Sequence, residues 1–408
     1  MDGRSAAGAD PVTAGAVYVE RDTCRACGGV GLQPALSLGN QFLPRFVKEA
    51  DATLPRAPLD LCFCRACGLM QLGHTTNPEL LFREFWYRSG INGTMRYALE
   101  DLVRDGLSYH HGGVWVDIGA NDGYLLSCVP REFERVAFEP ARNLTPDLMR
   151  HSDRVVVDYF KALDELRGDC DVITSAAMFY DLDEPGPFID DIRDSLTPDG
   201  VWINQLNDAP TMLEQNAFDA ICHEHLCYYD IGTLRKLYER HGMTITNISH
   251  NDVNGGSMRV TAMKTGPLAH PAPLGGLLEA EGPDFAEKLE DFCQRIPRWR
   301  ERMLHTLDMH SGQTWCYGAS TKGTVLLQYL GFCQQFEAVA DRNPEKHGLK
   351  MVGSWLPIKT EEELRAAKPP QVLVLPWAFK KEFDVREHEL IRAGTVFMYP
   401  LPEIVSVV

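Results

Sequence analysis

The chain has 408 residues and a formal charge of −17, from 40 Lys+Arg against 57 Asp+Glu. At about 150 residues per domain this length fits two or three domains, each with its own core. The acidic balance excludes a general nucleic-acid or anionic-membrane binder, since phosphate contacts need a cationic face, though a local basic pocket stays open.

Residues 1–15 are small and polar and read as a loose tail. They carry one Arg, two Asp and no apolar core of a secretory signal. No stretch approaches the ~20 apolar residues of a membrane span. A cytoplasmic chain is therefore expected, with its 12 cysteines as thiols or metal ligands rather than disulfides. Residues 16–77 hold two cysteine clusters among Gly, Pro and short apolar runs, the pattern of a small metal-held module. The spacing of Leu80, Leu81, Phe85, Met95, Leu99 and Leu102 predicts helix over 78–106. Strands are expected at Val114–Ile118, Arg135–Phe138, Val155–Val157, Asp171–Thr174 and Val201–Asn204. Strands alternating with helices at this rhythm imply a mainly parallel α/β sheet. Met243–Ile248 and Ser257–Lys264 add candidate antiparallel strands, closing a unit over 78–270. A linker and a long helix fill 271–312, with Pro297 inside the helix. A second α/β unit over 313–408 has strands at Thr314–Tyr317, Ala338–Asp341, Val372–Leu375 and Thr395–Met398.

The cysteine module reads Cys24-Arg-Ala-Cys27, then 36 residues, then Cys64-Arg-Ala-Cys67. Each knuckle ends in Gly, at Gly28 and Gly68. Two thiols three positions apart on a tight turn grip one ion, and two such turns complete a closed S4 site, the geometry of structural zinc. Neither pair follows the βαβ pattern of a redox C-x-x-C. Cys62 is one thiol too many; Cys64–Cys67 keeps the knuckle spacing, so Cys62 is assigned to the core.

Val116-Asp117-Ile118-Gly119-Ala120-Asn121-Asp122-Gly123 stands between a strand and a helix. Glycines there let backbone approach a ligand at a helix N-terminus. The dinucleotide fingerprint needs G-x-G-x-x-G. Here Asn121, which tolerates positive φ, takes the middle position, and Gly119 and Gly123 lie four apart. The D-x-G-x-N-x-G form resembles motif I of class I S-adenosylmethionine (SAM) methyltransferases. Glu139 follows the next strand, placed to hold ribose hydroxyls, and Asp158-Tyr159-Phe160 follows the third, suited to an adenine amino group and a stacking ring. The alternative is that Glu139 and Asp158 are merely exposed strand-end acids.

Further on, Cys222-His223-Glu224-His225 sets two His around a Glu. The histidines are two apart, which does not match the H-E-x-x-H zinc helix. General acid–base chemistry fits better, because His titrates near neutrality and a carboxylate can fix its tautomer. Tyr180 follows the fourth strand on the cofactor edge of such a sheet, either touching substrate or packing under the loop.

Together these pieces resemble the three-domain SAM-dependent sugar C-methyltransferases, which make branched deoxysugars on nucleotide carriers. The resemblance runs over residues 20–405. It is carried by the two knuckles with Leu38-Gly39-Asn40-Gln41 between them, the I-G-x-N-D-G loop, Phe138-Glu139-Pro140, Glu224-His225, Asn254-Gly255-Gly256, Tyr317-Gly318-Ala319-Ser320-Thr321-Lys322 and Asp341-Arg342-Asn343-Pro344-Glu345-Lys346. It implies a class I, Rossmann-like SAM methyltransferase core with a small N-terminal zinc-binding domain and a C-terminal α/β nucleotide-binding-like domain. It implies SAM and one structural Zn2+, and a nucleotide-linked 4-keto-deoxyhexose as substrate. The ketone acidifies the hydrogen on the adjacent C3. His225 is then the base, with Glu224 beside it as orienter. Relatives carry a Tyr three before that His, where this chain has Cys222, and often a His after the fourth strand, where it has Tyr180. Tyr180 or His223 is the candidate replacement donor; the swap equally suits a different sugar or position. Tyr87 matches an aromatic segment bordering the sugar pocket.

The C-terminal unit is the expected nucleotide clamp. Ser320, Thr321 and Lys322 open a helix after a strand and could cradle a diphosphate. The loop is not a Walker A sequence. Asp341 ends the next strand and could meet a ribose, and Arg259 could add positive charge. For Arg259 and Lys322 the plainer reading is a solvated surface cation. Trp377 is read as core. Rival functions are O- or N-methylation of a nucleotide sugar, an NAD-dependent sugar oxidoreductase, and a non-enzymatic zinc adaptor.

Overall fold

The computed structural model describes residues 15–276, 285–308, 314–331 and 335–407. Of the tail expected over 1–15, residues 1–14 lie outside that set.

The cysteine module is built on an antiparallel sheet of Gln33–Phe42 (β1), Arg56–Phe63 (β2) and Met70–Leu72 (β3). Ala57, Leu59 and Leu61 are fully buried, the period-two face of a strand packed on one side. The sheet gains a fourth strand from far along the chain: Cys227–Tyr228 pairs antiparallel with β3.

The helix expected over 78–106 is broken. Helix occurs at Pro78–Leu81 and again at Gly93–Leu107 (α1), whose N-cap Asn92 accepts from the Thr94 N–H at 2.8 Å. Between them the chain forms a strap, because its backbone groups bond outside it. The Ser89 and Gly90 N–H groups go to Asn121 and Asp122, and the Tyr87 carbonyl accepts from Asn121 Nδ2.

The central sheet has seven strands: Gly113–Ile118 (β4), Phe133–Phe138 (β5), Arg154–Val156 (β6), Cys170–Ala176 (β7), Leu196–Asn207 (β8), Met243–Asn251 (β9) and Ser257–Lys264 (β10). Their order is β9-β10-β8-β7-β4-β5-β6. β10 runs antiparallel between β8 and β9, and the other described pairings are parallel. Val114 to Ile118 are all buried, as a strand covered by helices on both faces requires. The winding reverses between β4 and β7, and a crevice opens at such a switch point beyond the carboxyl ends of the strands.

A 24-residue helix, Phe285–Asp308 (α2), carries Pro297 inside it and buries Phe292, Ile296, Trp299 and Met303 along one face. It ties the two α/β units together. Arg295 donates to the Leu213 carbonyl at 2.6 Å, and the Trp299 indole to the Pro400 carbonyl at 2.6 Å. The last unit contains Thr314–Tyr317 (β11), Thr321–Leu330 (α3), Phe336–Ala340 (β12), Ile358–Lys359 (β13), Gln371–Val374 (β14), Val396–Tyr399 (β15) and Val405–Val407 (β16). Its sheet order is β13-β12-β11-β14-β15-β16.

Candidate active site

The four knuckle cysteines converge. Cys24 Sγ lies 3.5 Å from Cys67 Sγ and Cys27 Sγ lies 3.7 Å from Cys64 Sγ, with all four sulfurs within 4.8 Å of one another. A tetrahedral ion with Zn–S bonds of ~2.3 Å spaces its sulfurs about 3.8 Å apart, so this set fits zinc. Gly28 and Gly68 close the knuckles by donating to the Cys24 and Cys64 carbonyls at 2.8 and 2.9 Å. Cys62 lies outside the cluster and packs against Gly73. With every position taken by thiolate, the ion stabilises the fold and does no chemistry. Arg25, inside the first knuckle, has a fully buried side chain. It donates to the Leu72 and His74 carbonyls, Thr75 Oγ1 and Asp183, fastening the module to the central domain.

A cavity of about 1100 Å³ lies at the switch point and reaches all three units. At one end stand the carboxylates of three successive strand ends. Asp117, at the end of β4, accepts from Thr174 Oγ1 at 2.7 Å; burial first, and Glu139 with it, pushes its carboxyl up to about 7. Glu139, after β5, accepts from the Asn121 and Ala141 N–H groups at 2.9 and 2.8 Å, which fixes the carboxylate against the glycine loop. Asp158 and Tyr159, after β6, are exposed at the cavity mouth, with Arg83 over the Tyr159 ring. Gly119 has φ +69°, and a Cβ there would crowd Met178 at 3.2 Å. Asn121 adopts φ 52°, as its place in the turn demands. Gly123, at φ +78°, shapes the turn and does not line the cavity. A tight loop and three acids suit a cationic nucleoside such as SAM.

At the centre, His225 Nδ1 lies 2.8 Å from the Ala220 carbonyl. A carbonyl only accepts, so Nδ1 carries the proton and Nε2 keeps a lone pair. Burial, then Lys322, pushes the imidazole down to about 3, so the ring is neutral. Tyr180 packs edge-on against it, with ring centroids 4.4 Å apart. Glu224 accepts from Thr321 Oγ1 at 3.1 Å, and burial raises its carboxyl to about 7. His223 also lines the cavity. Its Nε2 meets the Ala57 carbonyl of β2 at 3.0 Å, so this nitrogen is a strut to the zinc module.

At the far end, Ser320 caps α3 by accepting from the Gly323 N–H at 3.0 Å. Lys322 Nζ donates to the Asn254 carbonyl at 3.1 Å. Ser320, Thr321 and Lys322 line the cavity, as does Tyr87 from the strap. Two expectations are corrected. Asp341 does not line it: its oxygens accept from the Ala319 and Asn343 N–H groups and face Lys346, bracing the loop. Arg259 is buried on β10, bonded to Gln205, Asp101 and Asp105, and fastens that strand to α1 away from the cavity. Asp181, Asp219 and Lys346 line the cavity without having been singled out. Asp181 adjoins Tyr180 in sequence and Lys346 ends the motif that begins at Asp341, signals that were legible; Asp219 is marked only by tertiary packing.

The seven-stranded order, the glycine loop and the strand-end acids define a class I SAM-dependent methyltransferase. Models of a zinc binding domain, a methyltransferase domain and a C-methyltransferase C-terminal domain match residues 24–82, 91–248 and 252–402. The chain is 29% identical to the C-methyltransferase NovU of Streptomyces niveus, over 94% of this chain and 96% of that protein. The chain is a SAM-dependent methyltransferase similar to C-methyltransferases in each matched segment, and the oxidoreductase and adaptor readings are set aside. Solved structures with similar parts include a Burkholderia thailandensis 1,6-didemethyltoxoflavin-N1-methyltransferase with bound S-adenosylhomocysteine (15% identity, 42% of this chain, 78% of that chain, TM-score 0.34). Another is a Synechocystis magnesium protoporphyrin IX methyltransferase with bound SAM (11% identity, 42% of this chain, 79% of that chain, TM-score 0.33).

Proposed function

We propose that the protein methylates a ring carbon next to the ketone of a nucleotide-linked 4-keto-deoxyhexose. The observation that carries this reading is His225: neutral, tied through Nδ1, and presenting Nε2 in the cavity between the cofactor acids and α3. SAM, when bound, supplies a methyl group on a sulfonium sulfur. His225 Nε2 takes the hydrogen from the carbon beside the ketone, and the electron pair left behind makes an enolate whose carbon accepts the methyl group. Glu224 holds the segment against Thr321. The N-terminus of α3, with Ser320, Thr321 and Lys322, receives the diphosphate through backbone N–H groups and one cation. Tyr87 closes over the sugar.

A panel of nucleoside diphosphate 4-keto sugars incubated with methyl-13C SAM tests the reading. The expected product shows a methyl group on carbon by NMR. A methyl signal on oxygen or nitrogen overturns it.

A further inference from the structure

Asp181 ends the short turn Phe179–Asp181 that follows β7 and lines the cavity with Cys222, Glu224 and His225. Its Oδ1 is buried without a hydrogen-bond partner, and so is Glu224 Oε2. Among the described residues, Glu224 is bonded by the Thr321 hydroxyl and the Cys222 thiol, and no side chain bonds the Asp181 carboxyl. The groups facing Asp181 are Tyr180, Cys222, Glu224 and Tyr228, none of them a cation. Lys322 faces Cys222, His225 and Asp219 instead. Two carboxyls so placed, with no cation between them, do not both ionise, and one proton stays. Glu224 has a hydroxyl and a thiol to hold its charge and Asp181 has neither, so the proton resides on Asp181. Burial, and Glu224 after it, raises that carboxyl well above its ordinary range.

We propose that Asp181 is a catalytic residue whose neutral carboxyl O–H donates to the ketone oxygen of the substrate. The proposal rests on the reading under Proposed function. The C–H bond breaks and its proton goes to His225 Nε2. The pair forms the carbon–carbon π bond, while the carbonyl π pair moves onto oxygen against the Asp181 O–H. The carbon then bonds to the methyl group, the sulfur–methyl bond gives its pair to sulfur, the ketone re-forms, and His225 releases its proton to water. Asp181 keeps its own proton throughout. It fills the place that the weakly donating Cys222 thiol leaves empty.

The test is exchange of the sugar ring hydrogen in D2O without SAM, followed by NMR. Thymidine and uridine diphosphate 4-keto-6-deoxyglucose serve as probes. Wild type exchanges. Asp181→Ala slows exchange about 100-fold, the loss typical of one oxyanion donor, while nucleotide binding by calorimetry stays. Asp181→Asn, which keeps an N–H donor, recovers most of the rate. The wild-type rate falls as alkali removes the Asp181 proton; that fall is absent in Asp181→Asn and present in Glu224→Gln. Exchange at the wild-type rate in Asp181→Ala overturns the proposal, as does an unaltered alkaline fall in Asp181→Asn. Wild type that binds the probes without exchanging them overturns the carbon-acid reading itself, and this proposal with it.

Discussion

A base with a pKa near 3 is weak, but it is never lost to protonation near neutrality. His225 reaches that state by burial, and the Ala220 carbonyl holds the tautomer. An ordinary histidine at ~6.5 would lose activity on going from pH 8 to pH 6. Here the imidazole adds no acid limb to kcat/KM across that interval, because it stays unprotonated on both sides of it, and any limb near 7 belongs to the Asp117 or Glu224 carboxyl and is lost in Asp117→Asn or Glu224→Gln. Replacing His225 by Gln should lower turnover by about 100- to 10,000-fold, the usual worth of a general base. SAM binding by calorimetry should be unchanged, and near-wild-type turnover would sink the assignment. Adjacency made this residue legible: Glu224-His225 is a local pattern read directly from the chain. Arg259 was misread for the opposite reason. Its partners Asp101 and Asp105 lie more than 150 positions away, so its lone charge looked available. Asp341 misled similarly, since backbone N–H groups that saturate a carboxylate leave no sequence trace.

Among the elements, most strands of both α/β sheets were legible, because a strand buried on both faces must be a continuous apolar run, whereas β13 and β16, two and three residues long, were not. The zinc-module sheet was not, since Pro34 and Gly39 interrupt the polar–apolar alternation of β1. The strap was read as helix because its apolar residues keep a helical spacing; side-chain acceptors on the glycine loop won over intrahelical bonds. The turn into α3 shows how tightly an element must be placed. Gly318 has φ +86°, and a Cβ there would lie 2.5 Å from Pro376 Cδ. Gly318→Ala should cost about 1–3 kcal/mol of stability through backbone strain and a forced shift. Because the turn aims Ser320, Thr321 and Lys322, the KM for the nucleotide sugar should rise while SAM affinity holds. Thermal melting and calorimetry check the two halves; an unchanged KM would mean that α3 does not bind the nucleotide.

At the scale of the whole molecule, the zinc module lines part of the cavity with Phe46 and Thr75 and also bears on the proposed base through the segment that carries it. The segment carrying the base is pinned on both sides by that module. Before it, His223 Nε2 meets the Ala57 carbonyl; after it, the Leu226 carbonyl accepts from the Leu72 N–H, and Cys227–Tyr228 joins β3 as a strand. β3 is in turn held against the first knuckle through Arg25 and Gln71, which bonds the Arg25 N–H at 2.8 Å. The acids proposed to hold SAM stand on the other sheet, one face of which packs on a separate cluster of Trp115, Leu126, Phe133 and Ile203, while its other face shares a core with Leu59 and Leu61 of the zinc module. Losing the ion should therefore separate two properties that a general unfolding would lose together. Metal analysis of carefully prepared protein should find one zinc per chain, and zero would defeat the S4 site. Chelation under native conditions should lower turnover about 100-fold, the scale of a catalytic group displaced by roughly an ångström. SAM affinity should change only a few-fold, and added zinc should restore the rate. Parallel loss of SAM binding and turnover would show instead that the module supports the fold as a whole and not the base in particular.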